Sequence, residues 1–176
     1  PPCLPGTFAP QPGLAACLPS PPGYFVASAR ATKPQSAPPG HASLGSAGNA
    51  TACPRGQMSL GLNNTACTDC RIERGPGYTT RGPASTSCDA CLGSSESDSG
   101  TGYLFVDRVE SGSWGEAHYA GDESFAEGSC WECRSNFSCA ESGATLTTAR
   151  LDEGFWRHRP YSLRVRACPV KAACSP

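Results

Sequence analysis

A chain of 176 residues with 20 Gly, 17 Pro and 12 Cys is a chain of turns with little room for uninterrupted helix or strand. Its formal net charge of −1 gives no electrostatic footing for nucleic acid. No apolar run approaches the roughly 18 residues that a membrane helix needs. The chain opens on Pro1-Pro2-Cys3 without an initiator Met and reads as a mature chain or a piece of a longer protein.

Residues 1–17 form a first cysteine-rich module, from Cys3-Leu4-Pro5-Gly6 to Cys17, with thirteen residues between the cysteines. The same interval returns between Cys53 and Cys67, and both stretches begin with Cys and place a Gly three residues later. A repeated spacing points to a duplicated module, each copy a short extended piece, a Gly turn and a return. Residues 18–52 contain no cysteine and are rich in Pro, Gly and Ser. They read either as an extended connector or as a repeat that has lost two cysteines. The echo of Gly23-Tyr24-Phe25 and Gly40-His41-Ala42-Ser43 favours the repeat.

Residues 53–91 carry tandem modules through Cys53, Cys67, Cys70, Cys88 and Cys91. Met58, Leu60, Leu62, Ile72 and Tyr78 are their only sizeable apolar side chains. Burying five such residues does not offset an ordering entropy of about 1–2 kcal/mol per residue, so a covalent or metallic staple is required. Residues 92–129 form an acidic insert with a strand expected at Tyr103-Leu104-Phe105-Val106 and a partner near Trp114 or His118-Tyr119. Residues 130–176 are a C-terminal module with Cys130, Cys133, Cys139, Cys168 and Cys174. Residues 144–151 read as a strand or one helical turn. Tyr161 to Arg166 alternates as a half-buried strand. Phe155, Trp156, Leu163 and Val165 are expected to form this module's small core, with Trp131 nearby.

Charge is uneven. Residues 94–127 hold eight acids against Arg108, and residues 150–171 hold six bases against Asp152 and Glu153. Either these are two solvated surfaces or they are complementary faces within one chain or between copies.

Cys67, Cys70, Cys88 and Cys91 have the spacing of a four-cysteine zinc site, as in an intracellular zinc knuckle. Three observations oppose that reading. The thirteen-residue interval recurs without flanking pairs. Sequons stand at Asn49, Asn63 and Asn136. Basic residues are sparse around the knuckles. An even cysteine count with sequons favours disulfides in an oxidising compartment. No βαβ pattern surrounds a CxxC, so redox catalysis lacks its usual setting. His41, His118 and His158 are isolated, and neither Gly-x-Ser-x-Gly nor His-Glu-x-x-His is present. No catalytic residue, metal or cofactor is expected.

The pattern from Cys53-Pro54 through Asn63-Asn64-Thr65-x-Cys67-Thr68-Asp69-Cys70 and Gly77-Tyr78-Thr79-Thr80 to Cys88-Asp89-Ala90-Cys91 resembles the ephrin-receptor-like, EGF-like and TNF-receptor-like cysteine-rich repeats. The stretch from Cys130 to Cys174, centred on Gly154-Phe155-Trp156-Arg157, resembles a companion segment of large extracellular proteins of algae and other protists. The resemblance implies small disulfide-rich modules in an elongated array, mostly irregular, with short β-hairpins and very little helix. It implies the pairs Cys3–Cys17, Cys53–Cys67, Cys70–Cys88 and Cys91–Cys130, and leaves Cys133, Cys139, Cys168 and Cys174 open. It also implies a non-enzymatic extracellular or cell-surface glycoprotein, a spacer or subunit of a surface or flagellar-hair-like filament. Its partners would be copies of itself or a scaffold chain. The alternative is a receptor or adhesion ectodomain, with Trp156 and Arg157 as a contact for a protein or glycan.

Overall fold

The computed structural model describes residues 2–95, 102–107, 128–133, 136–160, 162, 165–170 and 174, and the chain divides into two compact units, Pro1–Asp89 and Ala90–Pro176. The unit boundary falls inside the stretch 53–91. Short antiparallel hairpins, one four-residue helix and six disulfides make up the described structure. The fold is that of small disulfide-rich modules, mostly irregular.

The first unit repeats one hairpin. β1 (Thr7–Phe8) pairs with β2 (Leu18–Pro19), β3 (Tyr24–Phe25) with β4 (Gln35–Ser36), β5 (His41–Ala42) with β6 (Thr51–Ala52) and β7 (Gln57–Met58) with β8 (Thr68–Asp69). α1 (Cys70–Glu73) and β9 (Tyr78–Thr79) begin a fifth repeat. Each first strand follows a turn closed by one backbone hydrogen bond: Thr7 N–H to Leu4 C=O, Tyr24 to Pro21, His41 to Pro38 and Gln57 to Pro54, at 3.0–3.1 Å. The third turn residue is Gly6, Gly23, Gly40 or Gly56, each with φ of 78–90°. Pro5, Pro22 and Pro39 fill the second position. This is the type II pattern, in which proline presets φ and glycine takes the left-handed region.

The cysteine-free stretch 18–52 therefore holds two of the four hairpins, β3–β4 and β5–β6, rather than an extended connector. Ser20 and Ala37 stand where the other repeats have Cys3 and Cys53, at the residue three before the turn glycine. Ser20 N–H donates to Gly6 C=O, Ala37 to Gly23, Cys53 to Gly40 and Cys70 to Gly56. This column is buried throughout, at 0–5 % exposure for Cys3, Ser20, Ala37, Cys53 and Cys70.

The second unit opens with β10 (Ala90–Cys91). β11 (Tyr103–Phe105) pairs with β12 (Cys130–Glu132), β13 (Phe137–Ser138) with β14 (Arg150–Leu151) and β15 (Phe155–Trp156) with β16 (Arg166–Ala167). The expected strand at Tyr103 forms, with Cys130–Glu132 as its partner. Trp114, His118 and Tyr119 lie outside the described residues. The hairpin bond recurs as Cys133 N–H to Gly102 C=O, Asp152 to Asn136 and Cys168 to Gly154, so Asn136 takes a turn-glycine place.

The second unit's core differs from expectation. Leu104, Val106, Cys139 and Leu146 are buried, with Trp131, Cys133 and Phe137 packed against them. Trp156 is 39 % exposed, and Phe155 and Val165 are only half-buried. Leu163 lies outside the described residues. A two-residue strand at the edge of a single hairpin has no second layer to cover its outward side chain, which leaves Trp156 open. Residues 145–149 are a turn, with Ala149 N–H bonded to Thr145 C=O, and strand resumes only at Arg150.

Candidate functional site

The first unit's distinctive feature is a ladder of backbone hydrogen bonds running from repeat to repeat. Repeats 1 to 5 begin at Cys3, Ser20, Ala37, Cys53 and Cys70. Three rungs join each repeat to the next. The turn glycine N–H donates to the carbonyl three residues past the next turn glycine: Gly6 to Val26, Gly23 to Ser43 and Gly40 to Ser59, at 2.8–3.0 Å. At the fourth step Gly56 N–H donates to the Thr80 hydroxyl instead, at 3.0 Å. The residue three past the glycine donates into the next loop: Ala9 to Ala31 C=O, Val26 to Ala47, Ser43 to Asn64 and Ser59 to Ser85. The third rung returns from Arg30 to Cys3 C=O, from Ser46 to Ser20, from Asn63 to Ala37 and from Ala84 to Cys53.

Among the described residues, those four donors are the non-glycine residues with positive φ, at 52–63°. A left-handed residue costs about 1–2 kcal/mol, and its recurrence at one register position shows that the rung requires it. The ladder also explains the glycines. A Cβ on Gly40 would lie 2.1 Å from Ala84 O, and one on Gly23 would lie 2.4 Å from Asn63 O. The Ser43 and Ser59 hydroxyls add a fourth tie, donating to Tyr24 C=O at 2.8 Å and to His41 C=O at 2.9 Å.

Disulfides fasten some repeats and not others. The bridges are Cys3–Cys17, Cys53–Cys67, Cys70–Cys88, Cys91–Cys130, Cys133–Cys139 and Cys168–Cys174. The pairs implied by the resemblance are among them, and the last four cysteines close two short local loops. The four cysteines with zinc spacing are spread over three bridges. Among the described residues no group of three His, Cys, Asp or Glu is placed to hold a metal ion. In repeats 2 and 3, Pro34 and Ala50 precede the second strand where Cys17 and Cys67 do in repeats 1 and 4. Ser20 Oγ is buried without a hydrogen-bond partner, which fits a hydroxyl in a place shaped for sulfur.

The sequon asparagines occupy three different settings. Asn49 is exposed and its Oδ1 accepts from Ala50 N–H at 2.9 Å. Asn63 is exposed, and its backbone forms a rung while its side chain stands clear. Asn136 is half-buried at the hairpin turn, with its carbonyl bonded to Asp152 N–H.

Trp156 and Arg157 do not form a shared platform. The Arg157 guanidinium donates to Leu146 C=O at 2.7 Å and Ala149 C=O at 2.6 Å, and lies 5.6 Å from the centre of the Phe137 ring. Burial pushes its pKa down, and the nearby Asp107 carboxylate opposes this. Asp107 grips the same loop by accepting from the Thr147 N–H, at 3.1 Å, and from the Thr147 hydroxyl. Burial raises the Asp107 pKa, but its hydrogen bonds, those from Thr147 foremost and one from Thr145 among them, together outweigh it and hold the carboxyl below its usual range. Arg157 is thus a clamp on residues 146–149, and Trp156 alone faces solvent. Most of the acidic insert lies outside the described residues.

Nothing in the side chains of Ser20, Ala37 or the left-handed loop residues marks their places in the repeat. The Pro-Gly pairs at Pro5-Gly6, Pro22-Gly23, Pro39-Gly40 and Pro76-Gly77 carry the period without the cysteines. No family model matches the chain, and no curated protein matches it. Among the described residues no helix is long and apolar enough to cross a membrane.

Proposed function

We propose that this chain is a non-enzymatic extracellular structural glycoprotein, a spacer or subunit of a cell-surface or filament assembly. The observation that carries the reading is the repeat ladder. A stack in which each hairpin bonds chiefly to its neighbours lengthens by adding repeats and needs no large core. That is the requirement of a spacer. All twelve cysteines are paired, which supports formation in an oxidising compartment such as the secretory route. The exposed Asn49 and Asn63 sequons support glycosylation. Exposed leucines, among them Leu44 at 83 % and Leu60 at 75 %, support contact with another chain.

Sedimentation and imaging of the protein from its native source test the reading. The expected result is a filament or multi-subunit particle containing the chain. A monomer at high concentration, with no scaffold chain recovered beside it, would sink it. A receptor or adhesion ectodomain is the second reading, favoured by the outward Trp156 on β15. It predicts a monomer whose ligand binding is lost on Trp156→Ala.

A further inference from the structure

The ladder in the first unit has an open end. At each interior step the later repeat supplies three groups: an acceptor three residues past its turn glycine, the N–H of its left-handed loop residue, and the carbonyl that follows that residue. In repeat 1 the same register places are Ala9 C=O, Gly13 N–H and Leu14 C=O. None of these has a hydrogen-bond partner among the described residues.

The end is already shaped as the covered repeats are. Gly13 holds φ of +82°, in the left-handed region of Arg30, Ser46, Asn63 and Ala84, and a Cβ there would meet nothing within 4 Å. Its neighbours show the missing cover. Ala9 is only half-buried, whereas Val26, Ser43, Ser59 and Thr80 at the equivalent place are 0–4 % exposed. Leu14 is 47 % exposed, whereas Ala31, Ala47, Asn64 and Ser85 are half-buried. Two carbonyls and one N–H, with an apolar side chain between, are an edge prepared for pairing.

We propose that this end of the stack is an interaction surface whose occupant is one further repeat of the same kind. Its turn-glycine N–H would meet Ala9 C=O. Its residue three places on would donate to Leu14 C=O. The carbonyl three before its turn glycine would accept Gly13 N–H. The argument is continuity, because the same interface forms three times in succession inside the unit and a fourth time with the Thr80 hydroxyl in place of one carbonyl. The proposal names the contact surface for the assembly proposed above and rests on that reading. The test reads the surface itself, so a monomeric native protein would defeat the assembly and leave this result standing.

The full chain is extended upstream of Cys3 by a copy of residues 53–69, and amide exchange is followed by NMR. A second extension copies residues 20–36, which contain no cysteine and so cannot mispair. A third has the composition of the second in shuffled order. Gly13 exchange is expected to slow by about 100-fold or more in at least one of the first two, as for an amide bonded into a folded unit. It is expected to stay unchanged in the shuffled chain. Asn63 N–H, an interior rung, reports that the stack is folded. An unprotected Gly13 in both copied extensions, or equal protection in the shuffled one, overturns the proposal.

Discussion

The two units use different means to hold hairpins whose strands are only two or three residues long. In the first, a backbone ladder repeats almost unchanged through stapled and unstapled repeats, and the buried column is small: Cys3, Ser20, Ala37, Cys53 and Cys70. In the second, a side-chain core of Leu104, Val106 and Leu146 forms, and the Asp107 and Arg157 side chains clip one loop in place. A hairpin of two-residue strands has too little surface to stand alone. A periodic sequence solves this by identical neighbours, and an aperiodic one by dedicated side chains. In the first unit the disulfide is therefore an addition to the ladder and not its cause.

The strongest test of that contrast is Gly40→Ala. The added Cβ meets Ala84 O at 2.1 Å in a left-handed backbone, so a loss of about 3 kcal/mol or more is expected in chemical denaturation. Gly13→Ala has the same backbone strain and open space, and should cost only about 1–2 kcal/mol. Equal losses would mean that close packing between repeats is not what the glycines serve.

Replacing both Cys53 and Cys67 with Ala should cost about 3 kcal/mol by releasing the unfolded chain. The amides of Gly40 and Asn63 should nonetheless stay protected from exchange, as their rungs do not pass through the bridge. Collapse of that protection would make the disulfide the cause of the stack. In the second unit, Arg157→Ala should cost about 2 kcal/mol, since it removes two charge-assisted hydrogen bonds to the carbonyls of buried Leu146 and Ala149. Restoration by Lys at that position would argue against the two-pronged clamp.

Ser20→Ala should raise stability by about 1 kcal/mol, because the hydroxyl it deletes is buried without a partner. Ser20→Cys with Pro34→Cys should form a bridge detectable by non-reducing peptide mapping. Free thiols there would show that repeat 2 differs in geometry from its neighbours. The smallest effect is acid sensitivity from Asp107. Its pKa is lower folded than unfolded, so its contribution is complete above the usual 3.8 and fades as pH falls through the folded value. The stability gap between the native chain and Asp107→Asn should close on acidification. A gap that widened would reverse the assigned sign.

Much of the architecture was written in local chemistry. Gly after Pro fixes a turn wherever it occurs, so small hairpins were readable, while the local bridges Cys3–Cys17 and Cys53–Cys67 were what the resemblance to cysteine-rich repeats implied. Tyr103 to Phe105 was readable as a strand from its β-branched and aromatic neighbourhood. The second unit's core was not readable: the large ring of Trp156 made it an expected core residue, and Leu104, Val106 and Leu146 form the core instead. Which of them is covered depends on what lies across the hairpin, and that is a property of the assembled unit. Arg157 likewise looked like a surface contact until Leu146 and Ala149 brought two carbonyls to it.

By itself the sequence determined the turns, because proline and glycine restrict φ without help from the rest of the chain, and it determined the oxidised, repeated character through its cysteines. The glycine echo already favoured a repeat at 18–52, but only the tertiary structure decided that repeats 2 and 3 are hydrogen-bonded into one stack with repeats 1, 4 and 5. The reason is physical. The rungs run between backbone N–H and C=O groups, which every residue but proline carries alike. Their partners lie in the next repeat, so no side chain announces them.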